Sequence, residues 1–208
     1  MEINNCGALL LIGPTGSGKT PLGNVCEKRG LWKTRCAHFD FGENLREIAR
    51  TGEGPASLTG KDNRTIAWSL ETGALLENEN FHIAREILLG FVQGKKMTGD
   101  DLLLLNGLPR HAGQARDMDA IIDVKRVVYL ECTPRVVRDR IRLNSGGDRD
   151  ERMDDSLVAV QRKLELFRSR TLPLLDHYRK KDVSTARINV QVDTTPQEMH
   201  EWLDAREQ

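Results

Sequence analysis

The chain has 208 residues, enough for one domain with insertions, or one and a half domains, around a substantial core. Lysine plus arginine and aspartate plus glutamate both number 31, so the zero net charge gives no support for nucleic acid or an anionic membrane as partner. The sequence shows no signal segment, no run of about 18 apolar residues and no Cys-x-x-Cys pair. We therefore expect a cytoplasmic protein with reduced cysteines.

The first predicted elements are a buried strand and a phosphate-binding loop. Residues 8–12 are apolar, and residues 13–20 read Gly-Pro-Thr-Gly-Ser-Gly-Lys-Thr, a complete G-x-x-x-x-G-K-[ST] motif. Its glycines let the backbone turn tightly and direct N–H groups inward, and the helix that starts near Gly18 adds its positive end. Lys19 is expected to reach the β- and γ-phosphates of a nucleotide, and the Thr20 hydroxyl to ligate Mg²⁺.

Strands and helices alternate along the rest of the chain. The predicted strands are 7–12, 36–41, 101–106, 126–132 and 188–193. Short apolar strands joined by helices predict an α/β fold with a five-stranded parallel sheet that is flanked by helices on both faces. Ligands of such a sheet bind beyond the carboxyl ends of its strands.

Helix starts and ends are legible in the second half of the chain. Thr133 and Thr195 are each followed by proline, which predicts two capped helix starts. Residues 156–181 have apolar positions mostly at helical spacing and are predicted to form one long helix, which Pro173 should kink.

Two stretches interrupt this alternation and would lie at the phosphate end of the sheet. Residues 51–94 add helical material between the second and third strands, and residues 144–151 form a polar, glycine-containing loop between two helices. They predict a substrate-holding insert and a short lid. The remaining core of the single domain would comprise residues 1–50, 95–143 and 152–208.

Several arginines lie where phosphates are expected. Transfer of a phosphoryl group needs cationic clamping, and the planar guanidinium holds phosphate with two hydrogen bonds. Arg110 follows the third predicted strand and Arg46 lies early in the helix after the second. Arg140 approaches the lid, while Arg149 and Arg152 lie in it or just after it.

These motifs, in their order and spacing, resemble the adenylate kinase family of nucleoside monophosphate kinases nearly from end to end. Residues 41–46 are similar to the family's [ST]-G-[DE]-x-L-R, and residues 106–114 to its D-G-[FY]-P-R-x-x-x-Q. Residues 127–133, followed by Asp139-Arg140, resemble its fourth strand and ATP-side arginine, and residues 152–155 resemble its lid-closing R-x-D-D.

The resemblance implies a P-loop kinase that transfers the γ-phosphoryl group of ATP·Mg²⁺ to a nucleoside monophosphate, with AMP favoured. It makes residues 51–94 the helical monophosphate-binding insert, and it leads us to expect a monomer. The implied catalytic residues are Lys19, Arg110, Arg140 and Arg152. The implied ATP-binding residues are Gly13, Gly16, Ser17, Gly18, Lys19, Thr20, Arg140 and Arg149, with Thr20 on the metal. The implied monophosphate-binding residues are Phe41, Arg46, Leu75, Gly107, Arg110 and Gln114, and this glutamine would read adenine.

The sequence also departs from the family pattern at several sites. Asn106 replaces an aspartate that organises Mg²⁺ through water, and Glu43 could compensate for the missing charge. Phe41 replaces a serine or threonine, Pro21 removes an N–H of the first helical turn, and Asn144 replaces an arginine. These changes leave two alternatives open: a kinase for another small-molecule acceptor on the same scaffold, and a nucleotide-binding sensor with little catalysis.

Overall fold

The computed structural model of the protein describes residues 6–148 and 156–206, which contain one sheet of five strands. The strands are β1 (Gly7–Ile12), β2 (Cys36–Asp40), β3 (Leu102–Asn106), β4 (Asp123–Glu131) and β5 (Ser184–Asn189). They lie in the order β2-β3-β1-β4-β5, and every neighbouring pair is parallel. The predicted α/β architecture, a five-stranded parallel sheet flanked by helices, is confirmed.

Helices connect the strands. They are α1 (Lys19–Arg29), α2 (Phe41–Thr51), α3 (Gly60–Thr72), α4 (Phe81–Gly94), α5 (Ala112–Met118), α6 (Pro134–Arg142), α7 (Leu157–Leu166), α8 (Leu174–Arg179) and α9 (Pro196–Asp204). A 3₁₀ turn (Asn78–Asn80) precedes α4, and a π-helical segment (Phe167–Thr171) joins α7 to α8. Within the described ranges, no helix is long and apolar enough to cross a membrane.

The sheet buries a hydrophobic core on each face. Side chains alternate along a strand, so Leu10 and Ile12 of β1 pack into one core while Leu9 and Leu11 pack into the other. The first core includes residues of α2, α3, α4, α5 and α8, and the second includes residues of α1 and α9. Burial on both faces explains why β1 reads as a continuous apolar run.

Four of the predicted strands agree with the structure to within three residues at each end, but the fifth is misplaced. The prediction was 188–193, and the observed strand is Ser184–Asn189. This strand pairs only with β4 and lies at the edge of the sheet, so most of its side chains are polar and exposed. The apolar signal came from Val190, which is buried in the core just after the strand ends.

The predicted long helix 156–181 is present as three consecutive helical pieces. α7 passes into the π-helical segment, where the N–H of Leu172 donates to the carbonyl of Phe167 at 2.7 Å, and α8 follows Pro173. The interruption expected at Pro173 is therefore observed as a wide turn just before the proline, which has no N–H to continue the ladder. The capped starts predicted at Thr133 and Thr195 are confirmed, because each hydroxyl accepts from a backbone N–H three residues later.

The strand register brings polar residues together at the carboxyl edge of the sheet. Asp40 at the end of β2 lies directly opposite Asn106 at the end of β3, and Asn106 also lies opposite Leu11 of β1. The glycine-rich loop follows β1 at the same edge, so these strand ends form the floor of one cleft. Helices α3 and α4 lie in the stretch 51–94 that was predicted as an insert, whose boundaries stay a prediction.

Candidate phosphoryl-transfer site

The phosphate loop connects β1 to α1 through glycines in left-handed conformations. Gly16 has φ 76° and Gly18 has φ 95°, values that side chains with a Cβ adopt only under strain. A Cβ at Gly16 would also lie 2.9 Å from Cγ1 of Ile141. Both requirements explain why the motif has glycine at these positions.

Pro21, shortly after the loop, does not disturb the start of helix α1. Pro21 is the third residue of α1, and the first helical bond runs from the N–H of Leu22 to the carbonyl of Gly18 at 3.0 Å. The N–H groups of a first helical turn have no partner within the helix, so proline there breaks no helical bond. Pro21 is therefore compatible with the phosphate loop, as its position in the sequence suggested.

Lys19 lies over the loop and is held by it. Its Nζ donates to the carbonyls of Gly13 and Pro14, both at 2.8 Å. Lys19, Gly13, Gly16, Gly18 and Thr20 line the cleft. Ser17 instead points away into the protein, where it is fully buried, and a Cβ at Gly13 would lie 2.6 Å from its Oγ. The Ser17 side chain therefore does not face the cleft, and its backbone N–H donates to the carbonyl of Pro14 at 3.3 Å.

A hydrogen-bonded group of Thr20, Asp40 and Asn106 forms the floor of the cleft. The Thr20 hydroxyl donates to Oδ2 of Asp40 at 2.6 Å. The Asn106 amide donates to the same carboxylate oxygen at 2.7 Å and to Oγ1 of Thr20 at 3.0 Å. The second oxygen of Asp40 accepts from the N–H of Glu43 at 3.0 Å and caps α2. Sequence reasoning missed Asp40, although its place directly before a helix start at the end of a buried strand was visible.

The predicted monophosphate-binding residues belong to the same cleft. Phe41, Arg46, Leu75, Gly107, Arg110 and Gln114 all line it. Glu43, which was expected to compensate for Asn106, instead pairs with Arg46 at 2.9 Å and is largely exposed. Phe41 is buried and its ring stacks on Phe39, with 6.1 Å between the centroids, so the hydroxyl-bearing residue of the family pattern is replaced by a packing residue.

Arg110 extends into the cleft as an uncompensated cation. No carboxylate of the described residues lies within ion-pair distance of its guanidinium. The surrounding protein lowers the pKa of Arg110, and the charge of Asp40 opposes this shift. The backbone carbonyl of Arg110 accepts from the Thr171 hydroxyl at 2.8 Å, which ties the arginine to the π-helical segment. An exposed arginine that lines the cleft and has no carboxylate partner among the described residues is suited to bind a phosphate.

Gln114 is placed beside Arg110 by two backbone contacts. Its Oε1 accepts from the N–H of Arg110 at 2.8 Å, and its Nε2 donates to the carbonyl of Leu76 at 2.8 Å. The side chain is only 1% exposed. Gln114 therefore joins the strand exit that carries Arg110 to the segment 74–76, which forms the far wall of the cleft. The contact with Leu76 was not visible in the sequence, because it joins positions 38 residues apart.

Arg140 occupies a different place from the other predicted arginines. It lies behind the phosphate loop, is 2% exposed and does not line the cleft. Its Nε donates to the carbonyl of Gly16 at 3.0 Å, and its Nη1 donates to the carbonyls of Gln191 and Thr194 at 2.7 and 2.9 Å. Burial lowers the pKa of Arg140. Its contact with ATP stays a prediction.

The structure describes only some of the remaining residues that were predicted around the lid. Arg149 and Arg152 lie outside the described residues. Lys163 of α7 lines the cleft together with Phe167 of the π-helical segment. The predicted lid is described only as far as Asp148, which also lines the cleft.

Comparison with known proteins agrees with this geometry. The chain is 31% identical over 180 residues to an adenylate kinase of Stenotrophomonas maltophilia strain R551-3, covering 82% of this chain and 84% of the relative. The chain belongs to the adenylate kinase family. Adenylate kinases of Synechococcus sp. strain CC9311 and Prochlorococcus marinus strain MIT 9313 are 27% and 28% identical, each over 83% of this chain and 85% and 84% of theirs. No family model matches the chain.

Membership of the adenylate kinase family makes the protein a phosphotransferase of the nucleotide kinase class. The resemblance drawn from the motifs is thereby confirmed. The adenylate kinase fold also explains why the loop, Arg46, Arg110 and Gln114 come together, although they are far apart in the chain.

Proposed function

We propose that the protein transfers the γ-phosphoryl group of ATP to a nucleoside monophosphate, preferentially AMP, and forms two nucleoside diphosphates. The observation that carries this proposal is the lining of a single cleft. Lys19 of the phosphate loop, Arg46 of α2 and Arg110 after β3 all line it. A cleft lined by cations from three separate segments fits two phosphorylated ligands that bind next to each other.

The residues divide the work by position. Backbone N–H groups of the phosphate loop and Lys19 bind the phosphates of ATP, and Arg46 releases Glu43 to bind the acceptor phosphate. Arg110 neutralises charge that develops on the transferring group. An ionised phosphate acceptor needs no general base, so no residue has to remove a proton. Arg140, Arg149 and Arg152 stay proposed contributors, the first from behind the loop and the others from the lid.

Mg²⁺ is the proposed cofactor, and the residues at the cleft floor fit it. Thr20 and Asp40 place hard oxygen atoms 2.6 Å apart beside the phosphate loop, which is the ligand chemistry that Mg²⁺ prefers. When bound, the ion would neutralise charge on the β- and γ-phosphates. We propose Thr20 as its direct protein ligand. The protein is further proposed to be a cytoplasmic monomer that acts without nucleic acid or membrane.

The alternative of a sensor with little catalysis loses part of its support. It rested on Pro21, Asn106 and Asn144. Asn106 lies beside the carboxylate of Asp40, whereas Pro21 still lacks an N–H that a phosphate could use. A kinase for another acceptor stays the second candidate, because Phe41 removes a hydroxyl from the acceptor side of the cleft.

A coupled assay of ADP formation tests the proposal. ATP·Mg²⁺ is offered with AMP, CMP, UMP, GMP and dAMP in parallel, and the highest kcat/KM is expected with AMP. A preference for another monophosphate would keep the reaction and overturn the choice of AMP. Silence with all five acceptors, together with measurable ATP binding, would overturn the monophosphate kinase.

Gln114→Ala is expected to weaken the choice among monophosphates. The change removes an amide beside the acceptor half of the cleft, and the preference for AMP over GMP in kcat/KM should fall about tenfold, the value of one or two lost polar contacts. The same assay with Gln161→Ala, an exposed glutamine of α7, serves as the control. An equal loss with every acceptor would mean that Gln114 only positions Arg110 and Leu76 and does not read the base.

A further inference from the structure

The cleft floor has an acidic side chain at Asp40, a position that the sequence analysis did not consider. Asn106 ends β3 without a charge, and Asp40 ends the neighbouring strand β2 directly opposite it. We infer that Asp40 is the carboxylate that positions the magnesium of ATP·Mg²⁺, in place of a charge at residue 106. The inference rests on the proposed function, because it concerns the metal-bearing half of the same cleft.

The hydrogen bonds around Thr20 leave one electron pair for a cation. Its hydroxyl has one proton, which goes to Oδ2 of Asp40, and two lone pairs, one of which accepts from the Asn106 amide. The second lone pair has no hydrogen bond from the described residues. Asp40 therefore fixes the direction in which Thr20 can offer oxygen to a metal, as carboxylates do for ligands that they support.

Asp40 is held in place by three donors. Oδ2 accepts from Thr20 and Asn106, and Oδ1 accepts from the N–H of Glu43 at the start of α2. These three bonds fix the orientation of the Asp40 side chain on the cleft floor, beside the Thr20 hydroxyl.

The amide at residue 106 is the partner that this carboxylate requires. Nδ2 of Asn106 lies 2.7 Å from Oδ2 of Asp40 and donates to it. An aspartate at 106 would bring two carboxylates to this distance with no proton between them, and one of the two would have to bind a proton or move away. In this chain the acidic strand end is that of β2, and the strand end of β3 opposite it carries the amide.

No other acidic residue of the cleft lining has these contacts. Glu43 turns outward to Arg46. Asp148 lines the cleft from the predicted lid, but the Thr20 hydroxyl bonds to Asp40 and Asn106. Asp40 alone connects the metal-ligating hydroxyl to a strand end within the described parts of the chain.

The test exchanges the two residues and measures how strongly Mg²⁺ assists ATP binding. The dissociation constant of ATP is measured calorimetrically with excess Mg²⁺ and with EDTA for the wild type, Asp40→Asn, Asn106→Asp and the double variant. Asp40→Asn should reduce the ratio of the two constants about 10- to 100-fold, the usual effect of losing a residue that supports a metal ligand. The constant in EDTA should stay equal or become tighter, because a negative charge near the phosphates is removed.

The double variant separates the charge from the fold. Asparagine caps helices as well as aspartate does, so Asp40→Asn should keep α2 and the melting temperature. Asn106→Asp alone should lower the Mg²⁺ ratio, and the double variant should recover most of it, because it restores one carboxylate beside one amide. Glu47→Gln, an exposed position on α2, is the matched control.

Two results would overturn the inference. The first is an Asp40→Asn variant in which the ratio of the ATP dissociation constants in EDTA and in Mg²⁺ equals that of the wild type. The second is a double variant that melts like the wild type but does not recover the ratio lost in Asp40→Asn. The outcome is independent of the acceptor. If ATP binds but no monophosphate is phosphorylated, the proposed function fails while the Mg²⁺ ratios still decide the role of Asp40.

Discussion

Lys19→Ala is expected to lower kcat/KM for ATP·Mg²⁺ about 100- to 1000-fold, the usual loss for one charged group that stabilises a transition state. The ammonium group is the cation that the phosphate loop itself provides, and in the structure it rests on the carbonyls of Gly13 and Pro14. A phosphate would replace these two neutral acceptors by charged oxygens. The loss should therefore be greater in kcat than in the affinity for the nucleoside monophosphate, whose proposed site is formed by other residues of the cleft.

The comparison with Lys28→Ala makes this prediction specific. Lys28 lies exposed in the last turn of the same helix, so its removal changes net charge and helix propensity equally. Steady-state kinetics and thermal melts of both variants are the measurements. Near-native melting of Lys19→Ala is expected, because the lysine is not part of either core. Unchanged turnover in this variant would contradict the phosphate-binding role of the loop.

The fold was predictable where burial and local chemistry agree. β1 is buried on both faces and is followed by glycines that the turn requires, so an apolar run and a motif pointed to the same place. The prediction of β5 failed because a strand at the edge of a sheet needs little apolar surface. Val190, whose apolar side chain gave the signal, lies after the strand. Hydrophobic periodicity indicates which residues are buried. It locates a strand only where the buried residues lie within that strand.

Three of the predicted cations line the cleft and Arg140 does not, while the hydrogen bonds of the site were not predicted. Spacing within a motif placed Lys19, Arg46 and Arg110 at the cleft, because strand ends of a parallel sheet meet at one edge. The missing charge at Asn106 was visible, but its replacement was sought in Glu43, three residues after Asp40. Strand register decides between such neighbours, and a single sequence does not contain it.

Arg140→Met is expected to lower the free energy of unfolding by about 2–4 kcal/mol, since several buried carbonyls would lose a charged donor. Arg140 joins α6 to the phosphate loop at Gly16 and to the segment 191–194 that precedes α9. A change of this size in a chain of this length lowers the melting temperature by roughly 5–15 °C. ATP affinity measured in EDTA should fall as well, because the loop loses its support from behind.

Arg138→Met is the control for this change, since Arg138 lies exposed on the same helix. Arg140→Lys adds a second test. An ammonium group keeps the charge, but it cannot donate from separate nitrogen atoms to the carbonyls of Gly16 and Thr194. Anchoring by geometry predicts that the lysine variant melts nearly as low as the methionine variant. If both variants melt like the wild type while kcat collapses, the arginine acts on the phosphates directly, as the family resemblance implied, and its bonds to the backbone carbonyls contribute little to stability.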